Sequence, residues 1–399
     1  MSKHLSIIGL ITLITTILFI SCSSTEQHEV VNPFDGVPEI EISEWLDIND
    51  ESTPNSADFY FSSNYFHHMI IDNNGNYFVY NRGSEPIFYF DKNGEYITSV
   101  GRRGQGPGEF QSWPTFDTAL SDTLYTLDRV ARIVSRFVYR NEEWRYDDSF
   151  TLQDKEEYSP SKILQIDREH LIIEFTPDVS RLMNVSDNSS QASKKYNLLK
   201  ISGETIKDNW LETPAHERSI YSSSAGARAI HLLPFGGRSI VKVGPHNHLY
   251  HLWTPEFSIN IYDFDGKSLK KMTHPSFNYN LSDELRRKRV DEVVGVRMGS
   301  EREQQELLTQ MFEETPTEAP ALRDFHIDRD NGYIIVRRYI FKDQPNWMLL
   351  DNKGNRVGVF TLDENLTVFD FRNGKIIGAL NNENELPTVR IVTLPQSVL

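Results

Sequence analysis

At 399 residues, with 57 Asp and Glu against 41 Lys and Arg, the chain carries a formal net charge of −16. That acidity argues against nucleic acid and against an anionic membrane surface as the main partner, since both would repel it. A single cysteine, Cys22, excludes an intramolecular disulfide, so apolar packing must hold the fold.

The chain opens on a weakly basic MSKH, an apolar run from Leu5 to Ile20, and FISC, with small Ser21 ahead of Cys22. An apolar core this short, ending on a small residue, predicts a signal peptide over residues 1–21; an uncleaved N-terminal anchor is the alternative. Cys22 resembles the lipobox cysteine of bacterial lipoproteins, which is diacylated and becomes the mature N-terminus. The resemblance implies lipid anchoring in the bacterial cell envelope, at the outer membrane, on the periplasmic or the surface leaflet. Residues 22–38 read as a flexible tether and residues 39–399 as the folded domain.

From there a paired-hairpin pattern recurs, clearest in IIDNNGNYFVY followed by PIFYFDKNGEYITSV. Asn74-Gly75 and Asn93-Gly94 between apolar strands predict primed two-residue hairpin turns, because both positions tolerate positive φ. Two hairpins make a four-stranded blade, and a series of blades makes a β-propeller. Six first hairpins can be read: MIIDNNGNYFVYNR, ALSDTLYTLDR, ILQIDREHLIIEF, VKVGPHNHLYHLW, FHIDRDNGYIIVRR and VFDFRNGKIIGAL. The fold class is therefore all-β, a six-bladed propeller of four-stranded blades.

Two spacings are longer than the rest. One holds the polar stretch DVSRLMNVSDNSSQASKK, read as a loop. The other, near 282–314, repeats Leu285, Val290, Val293, Val294, Leu307 and Met311 at helical spacing behind Ser282 as N-cap, and predicts a helical insertion that breaks near Gly299. The last blade lacks its outermost strand, and EIEISEWLDI near the start has no local partner. Pairing the two closes the ring and removes exposed edges.

One connector, SVGRRGQGPGEFQSWP, spaces Gly101, Gly104, Gly106 and Gly108 through a turn ahead of Phe110 and Pro114. It resembles the connector of NHL-like propeller repeats, and more closely that of the six-bladed β-propeller lipoproteins of Bacteroidetes type, a family of NHL-like or TolB-like propellers with little assigned function. The resemblance implies a structural role for these glycines. The loop lacks the Gly-Lys-Ser/Thr ending of a phosphate-binding loop, and Pro107 removes an amide donor.

Catalytic signatures are weak. His246, His248 and His251 lie in PHNHLYHLW without a neighbouring carboxylate and read as turn and strand residues rather than zinc ligands. The acidic turns SDT, DRE, DFDG and DRDNG lack the calcium-loop ladder, and Asx turn chemistry accounts for them. Ser222-Ser223-Ser224 with Gly226 has no recognisable base. No cofactor and no metal are expected.

Loops joining the second and third strands of each blade converge on one mouth of the channel. They carry Arg82, Arg129 and Arg337 at strand ends, with Trp253, Tyr339 and Phe175 beside them. A basic, aromatic mouth on an acidic protein suits an anionic or sugar-like ligand; the alternative is a solvated rim, or ion pairs to Asp128 and Glu256. The reading is a tethered, non-catalytic propeller binding a small molecule, glycan, peptide or envelope protein. Its rival is a metal-dependent hydrolase or lyase of the six-bladed lactonase or amidating-lyase type, with a metal in the channel.

Cys22→Ala should abolish lipidation and move the protein from the membrane to the soluble fraction. Retention in the membrane without processing would instead identify an uncleaved anchor.

Overall fold

The computed structural model describes residues 32–49, 52, 68–80, 85–117, 119–120, 122–155, 157–178, 192–222, 228–276, 278–295, 300–339, 344–381 and 388–399. The leader over 1–21, Cys22, Arg82, Ser223, Ser224, Gly226 and most of the polar loop at 178–195 lie outside these residues.

Six antiparallel four-stranded sheets follow one another along the chain. Blade 1 runs Met69–Ile71, Tyr77–Tyr80, Ile87–Phe90 and Tyr96–Ser99. In blade 2 the innermost strand is split into Pro114–Thr115 and Ala119–Leu120, followed by Thr123–Asp128, Ile133–Arg140 and Glu143–Thr151. Blade 3 is Tyr158–Gln165, His170–Pro177, Ser193–Lys200 and Thr205–Pro214, and blade 4 is Ser239–Val243, Leu249–Trp253, Ser258–Tyr262 and Ser268–Thr273. Blade 5 is Asp324–Ile327, Ile334–Arg337, Trp347–Leu350 and Arg356–Phe360. Blade 6 takes Leu366–Arg372, Lys375–Leu380 and Thr388–Thr393, and its fourth strand is Glu44–Ile48 from the other end of the chain.

The turns depart from the expected type. Gly75 N–H closes on Asp72 O (3.1 Å) and Gly94 N–H on Asp91 O (3.0 Å). The glycines have φ of 83° and 84°, whereas Asn74 and Asn93 do not enter positive φ. These are four-residue turns with glycine in the left-handed position behind them, not primed two-residue turns. The Asp sets them: Asp72 Oδ1 accepts from Asn74 N (2.8 Å) and Asn76 N (2.9 Å). Asp91, Asp263 and Asp351 do the same in their own turns. Carboxylates spent on backbone amides account for the acidic turns without a metal.

Inner strands such as Tyr77–Tyr80, Ile87–Phe90 and Ile334–Arg337 bury both faces, because each blade has a neighbour on either side. In blade 1, Phe78 and Tyr80 join a core with Phe110, Phe116, Leu124 and Phe137 of the blade 2 side, while Tyr77 and Val79 join one with Ile377 and Ile391 of blade 6. Four further clusters of the same kind fill the remaining junctions. Runs such as IFYF are therefore apolar without alternation. Between blades 1 and 2 the glycine connector is shaped by contact: a Cβ on Gly108, at φ 74°, would meet Tyr146 at 2.6 Å. The amide of Gly106 is taken by the loop's own Glu109 carboxylate at 2.8 Å.

The long insertion forms two helices, α1 (Asp283–Val294) and α2 (Glu301–Glu314), capped by Ser282 and Ser300. They pack on a hairpin, Arg218–Ser222 with Arg228–Leu232, whose Tyr221 and Ala229 meet Val290, Val294, Leu307 and Met311. In sequence Ser222-Ser223-Ser224 and Gly226 read as a small-residue loop, which does not predict the strands on either side of it.

The ring closes as expected. Glu44–Ile48 pairs antiparallel with Thr388–Thr393, and Arg390 grips Asp47 through both carboxylate oxygens at 2.7 and 2.6 Å. The chain is held earlier than the tether boundary of 22–38 implied. Phe34 is buried in the core between blades 4 and 5, Arg356 donates to Pro33 O (2.8 Å), and Ile40 N–H bonds Val359 O at 2.7 Å. Residues 32–38 are thus a strap over blade 5, because Phe34 and Pro33 find partners there.

Deleting Glu39–Ile48 should abolish the cooperative monomeric fold. It removes Ile40 and Ile48, each worth about 2–5 kcal/mol on truncation, and opens blade 6. Deleting residues 23–31 should leave the melting curve unchanged. Equal melting of the two truncations by circular dichroism would refute closure by this strand.

Candidate functional site

The axis is not an empty pore. Innermost strands have one edge without a neighbouring strand, and charged side chains cross the axis to meet it. Arg372 of blade 6 pairs with Asp330 of blade 5 at 2.7 and 2.9 Å, and donates to Ile71 O (3.3 Å) and Ala119 O (3.5 Å) of blades 1 and 2. Arg329 of blade 5 donates to Gln165 O (2.9 Å) and Ile166 O of blade 3. Deeper along the channel, Asp117 of blade 2 holds Lys162 of blade 3 at 2.8 Å and Lys242 of blade 4 at 3.5 Å. β-bulges immediately precede Lys162 and Asp370 in their strands, a device that re-aims a side chain.

Burial alone would raise the Asp117 pKa, but Lys162 and Lys242 together outweigh it and hold the carboxyl below its ordinary value. Asp370 goes the other way: burial pushes it up to about 6, with Lys242 and the Ile71 amide only partly opposing. A cavity of about 20 Å³ remains among these groups, room for one water. Among the described residues no group of three or more His, Cys, Asp and Glu is placed to hold a metal ion.

The mouth is different. A cavity of about 560 Å³, well within the size range of ligand sites, opens between α1 and blade 5, lined by Phe235, Leu285, Arg289, Arg323, Tyr339 and Glu364 among others. Phe235 sits at φ 58°, an uncommon conformation for a residue other than glycine, and its ring lies 5.4 Å from that of Tyr339. Arg323 is 6.0 Å from the Tyr339 ring, and its carbonyl accepts from Arg238 at 2.7 Å. Below them Arg337 is 5% exposed, with its Cζ 5.6 Å from the Trp347 ring. Burial, then Arg323, lowers its pKa to about 10 against the pull of Asp324, so it stays charged at neutral pH.

The predicted mouth residues do not form one rim. Arg337 and Tyr339 belong to this sector, but Arg337 is buried rather than solvated. Trp253 packs on Gly237 nearby, where a Cβ would meet it at 2.5 Å. Arg129 is exposed and lies elsewhere, in a second cavity between blades 2 and 3 with Trp113, Val130, Arg132 and Pro160, and it donates to Pro160 O at 3.3 Å. Asp128 accepts from the amides of Gln111, Ser112, Val130 and Ala131, and Glu256 meets Lys271 at 3.7 Å. Phe175 is core between blades 2 and 3. His251 is buried against Ser239 Oγ (2.9 Å) and pushed down to about 4 by burial, whereas His246 and His248 stand in the turn before it. Sequence reading missed Arg238, Arg289, Arg323 and Phe235, which lie in the blade connections and α1 rather than in the loops inspected.

Residues 63–289 match the family described as 6-bladed beta-propeller. The chain belongs to this family. Among solved structures, a Bacteroides fragilis protein, classed provisionally as exported, matches at 12% identity over 90% of this chain and 96% of its own, with a TM-score of 0.51. A virginiamycin B lyase from Staphylococcus aureus matches at 8% identity, over 90% and 100% of the two chains, with a TM-score of 0.43. An oligogalacturonate lyase in complex with manganese matches at 11%, over 90% and 99%, also at 0.43. The likeness to the first is one of fold. No curated protein matches the chain.

For this propeller the axis yields a pH prediction. An acid whose native pKa is raised contributes stability at low pH and loses it as pH rises through the native value, here about 6. Asp370→Asn keeps an acceptor for Ile71 N–H and removes that loss. Relative to wild type, the variant should therefore gain on the order of 2 kcal/mol between pH 4 and pH 7.5. Urea unfolding at the two pH values measures it; a difference that does not change with pH would contradict the raised pKa.

Proposed function

We propose that this chain is a lipid-tethered envelope protein acting as a non-catalytic binding propeller, with an anionic ligand seated at the mouth between α1 and blade 5. The leader-like start and the lipobox-like Cys22 support export and tethering. The B. fragilis protein of like fold, classed provisionally as exported, is in keeping with export.

The observation that carries the ligand class is the charge count at the mouth. Arg238, Arg289, Arg323 and Arg337 gather around two aromatic rings, against Asp324, Glu292 and Glu364, on a chain whose formal net charge is −16. Arginines beside aromatic faces recognise planar or branched anions through charge-assisted hydrogen bonds and stacking. The rival reading needs ligands for a metal in the channel, and that space is spanned by the Asp117–Lys162–Lys242 and Arg372–Asp330 pairs. That occupancy supports placing the ligand at the mouth.

A thermal-shift screen of glycans, peptides and small anions should return anionic binders, because any ligand of the native state raises its melting point by mass action. Arg289 and Arg323 are exposed, so replacing both with Ala should cost less than about 1 kcal/mol of stability. The same change should weaken the binders about tenfold or more and flatten their salt dependence. Unchanged affinity in that double variant would overturn the mouth as the site.

A further inference from the structure

The floor of the mouth holds an unusual set of side chains. Register places Asp324, Arg337, Trp347 and Phe360 side by side across blade 5, on the face turned to blade 6. His326, two residues beyond Asp324, shares that face. Arg337, Trp347 and His326 are 5%, 1% and 3% exposed. Yet Arg337 Nε and Nη2, Trp347 Nε1 and both His326 ring nitrogens have no hydrogen-bond partner among the described residues. The nearest carboxylate oxygen to His326 Nε2, on Asp324, is 3.9 Å away, beyond bonding distance.

Folded proteins leave few buried polar atoms unpaired, and a buried donor without an acceptor costs about 1–3 kcal/mol, more when charged. Five such atoms fall in this one row and four of them are donors, while others are scattered through the remaining blades. Arginine and indole have no acceptor to offer. Burial, chiefly, pushes His326 down to about 3, so the ring is neutral and adds a donor and an acceptor. The row lies directly below the mouth cavity, since Arg323 N–H bonds Arg337 O at 2.6 Å and Arg323 lines that cavity.

We infer that the junction of blades 5 and 6 is a buried oxyanion site, in which Arg337, the Trp347 indole N–H and His326 receive a phosphate, sulfate or carboxylate group entering from the mouth. This rests on the mouth reading and deepens it: the ligand carries a compact oxyanion as its inserted end, and the aromatic pair with Arg289 and Arg323 receives the remainder. Asp324 does not fill the role, being turned to Arg238 at 3.7 Å and to its neighbour's amide, Phe325 N, at 2.9 Å.

The test uses the full chain labelled with 5-fluorotryptophan, whose six resonances include that of Trp347, assigned by Trp347→Phe. Titration with sodium phosphate, sulfate or acetate, against chloride at constant ionic strength, should shift the Trp347 resonance saturably for at least one oxyanion. Arg337→Gln should raise the half-saturation concentration about tenfold or more, as loss of a charge-assisted hydrogen bond implies. If that variant does not fold, saturation and selectivity over chloride in wild type decide the matter. No shift would mean that water satisfies these donors, and a shift that never saturates or is matched by chloride would mean a general salt effect; either overturns the site. A larger anion that binds through Arg289 and Arg323 without moving the Trp347 resonance sinks this inference and leaves the mouth reading standing. Small oxyanions that move Trp347, while the Arg289→Ala, Arg323→Ala protein keeps its affinity for larger ligands, leave the buried site standing and sink the mouth.

Discussion

Arg372 stands on blade 6 and reaches partners on blades 5, 1 and 2, and its neighbour in space, Arg329, ties blade 5 to blade 3. The reason lies in the geometry of a propeller. Pairing four strands side by side satisfies the edges they share, but the innermost edge of every blade faces the axis without a neighbouring strand. Buried backbone groups must find partners. Guanidinium groups supply several donors from one stem and stay charged under burial, so each of the two can bind a carbonyl of a blade that is not its neighbour in the ring. Asp370 answers the complementary need by accepting from Ile71 N–H at 2.9 Å.

Filling the axis this way has a consequence for function. The end where the first two strands of each blade turn is stoppered by arginines, and the middle by Asp117 with two lysines. Variation is left to the other face, where strand pairs two and three turn and where successive blades are joined. The chain lengthens two of those joins, between blades 3 and 4 and between blades 4 and 5, and the hairpin and helices so formed pack on each other. They raise one wall beside blade 5, which turns a symmetric mouth into a one-sided cavity. Asymmetry of this kind is what a ring of equivalent blades needs before it can select a ligand.

Much of the fold was legible because local and global preferences agree. Blade 1 shows it best: Asp-x-x-Gly turns, aromatic strands and apolar runs all point to paired hairpins. Asn-Gly favours a primed turn, but the carboxylates of Asp72 and Asp91 bind the turn amides and fix the four-residue turn instead. The hairpin within 218–232 is hard to read because SSAGA, between its two strands in sequence, has the composition of a loop. The site was only partly legible. Arg337 and Tyr339 could be named from their strand-end positions, but Arg129, also at a strand end, belongs to a different junction. Which arginines share a cavity depends on the order of blades around the ring and on where an insertion folds back, and neither is encoded in a local window. Arg323 and Arg289 lie 34 residues apart in sequence and meet only because α1 returns over blade 5.

The unpaired donors in blade 5 also say where this molecule can tolerate cost. Six inter-blade cores and the closing strand supply stability all around the ring, so a junction that leaves Arg337, Trp347 and His326 unsatisfied need not unfold it. Evolution usually replaces such groups, since apolar residues of similar shape would pack blade 5 against blade 6 at least as well. A Leu in place of Arg337 would join Ile335 and Leu349 on the face turned to blade 6. Net charge gives no incentive to keep the arginine there, because at physiological ionic strength charges beyond about 8 Å are screened and a buried cation contributes little to solubility. What a guanidinium, an indole N–H and an imidazole in one buried row do offer is affinity for an oxyanion, in surroundings where each hydrogen bond is stronger than in water.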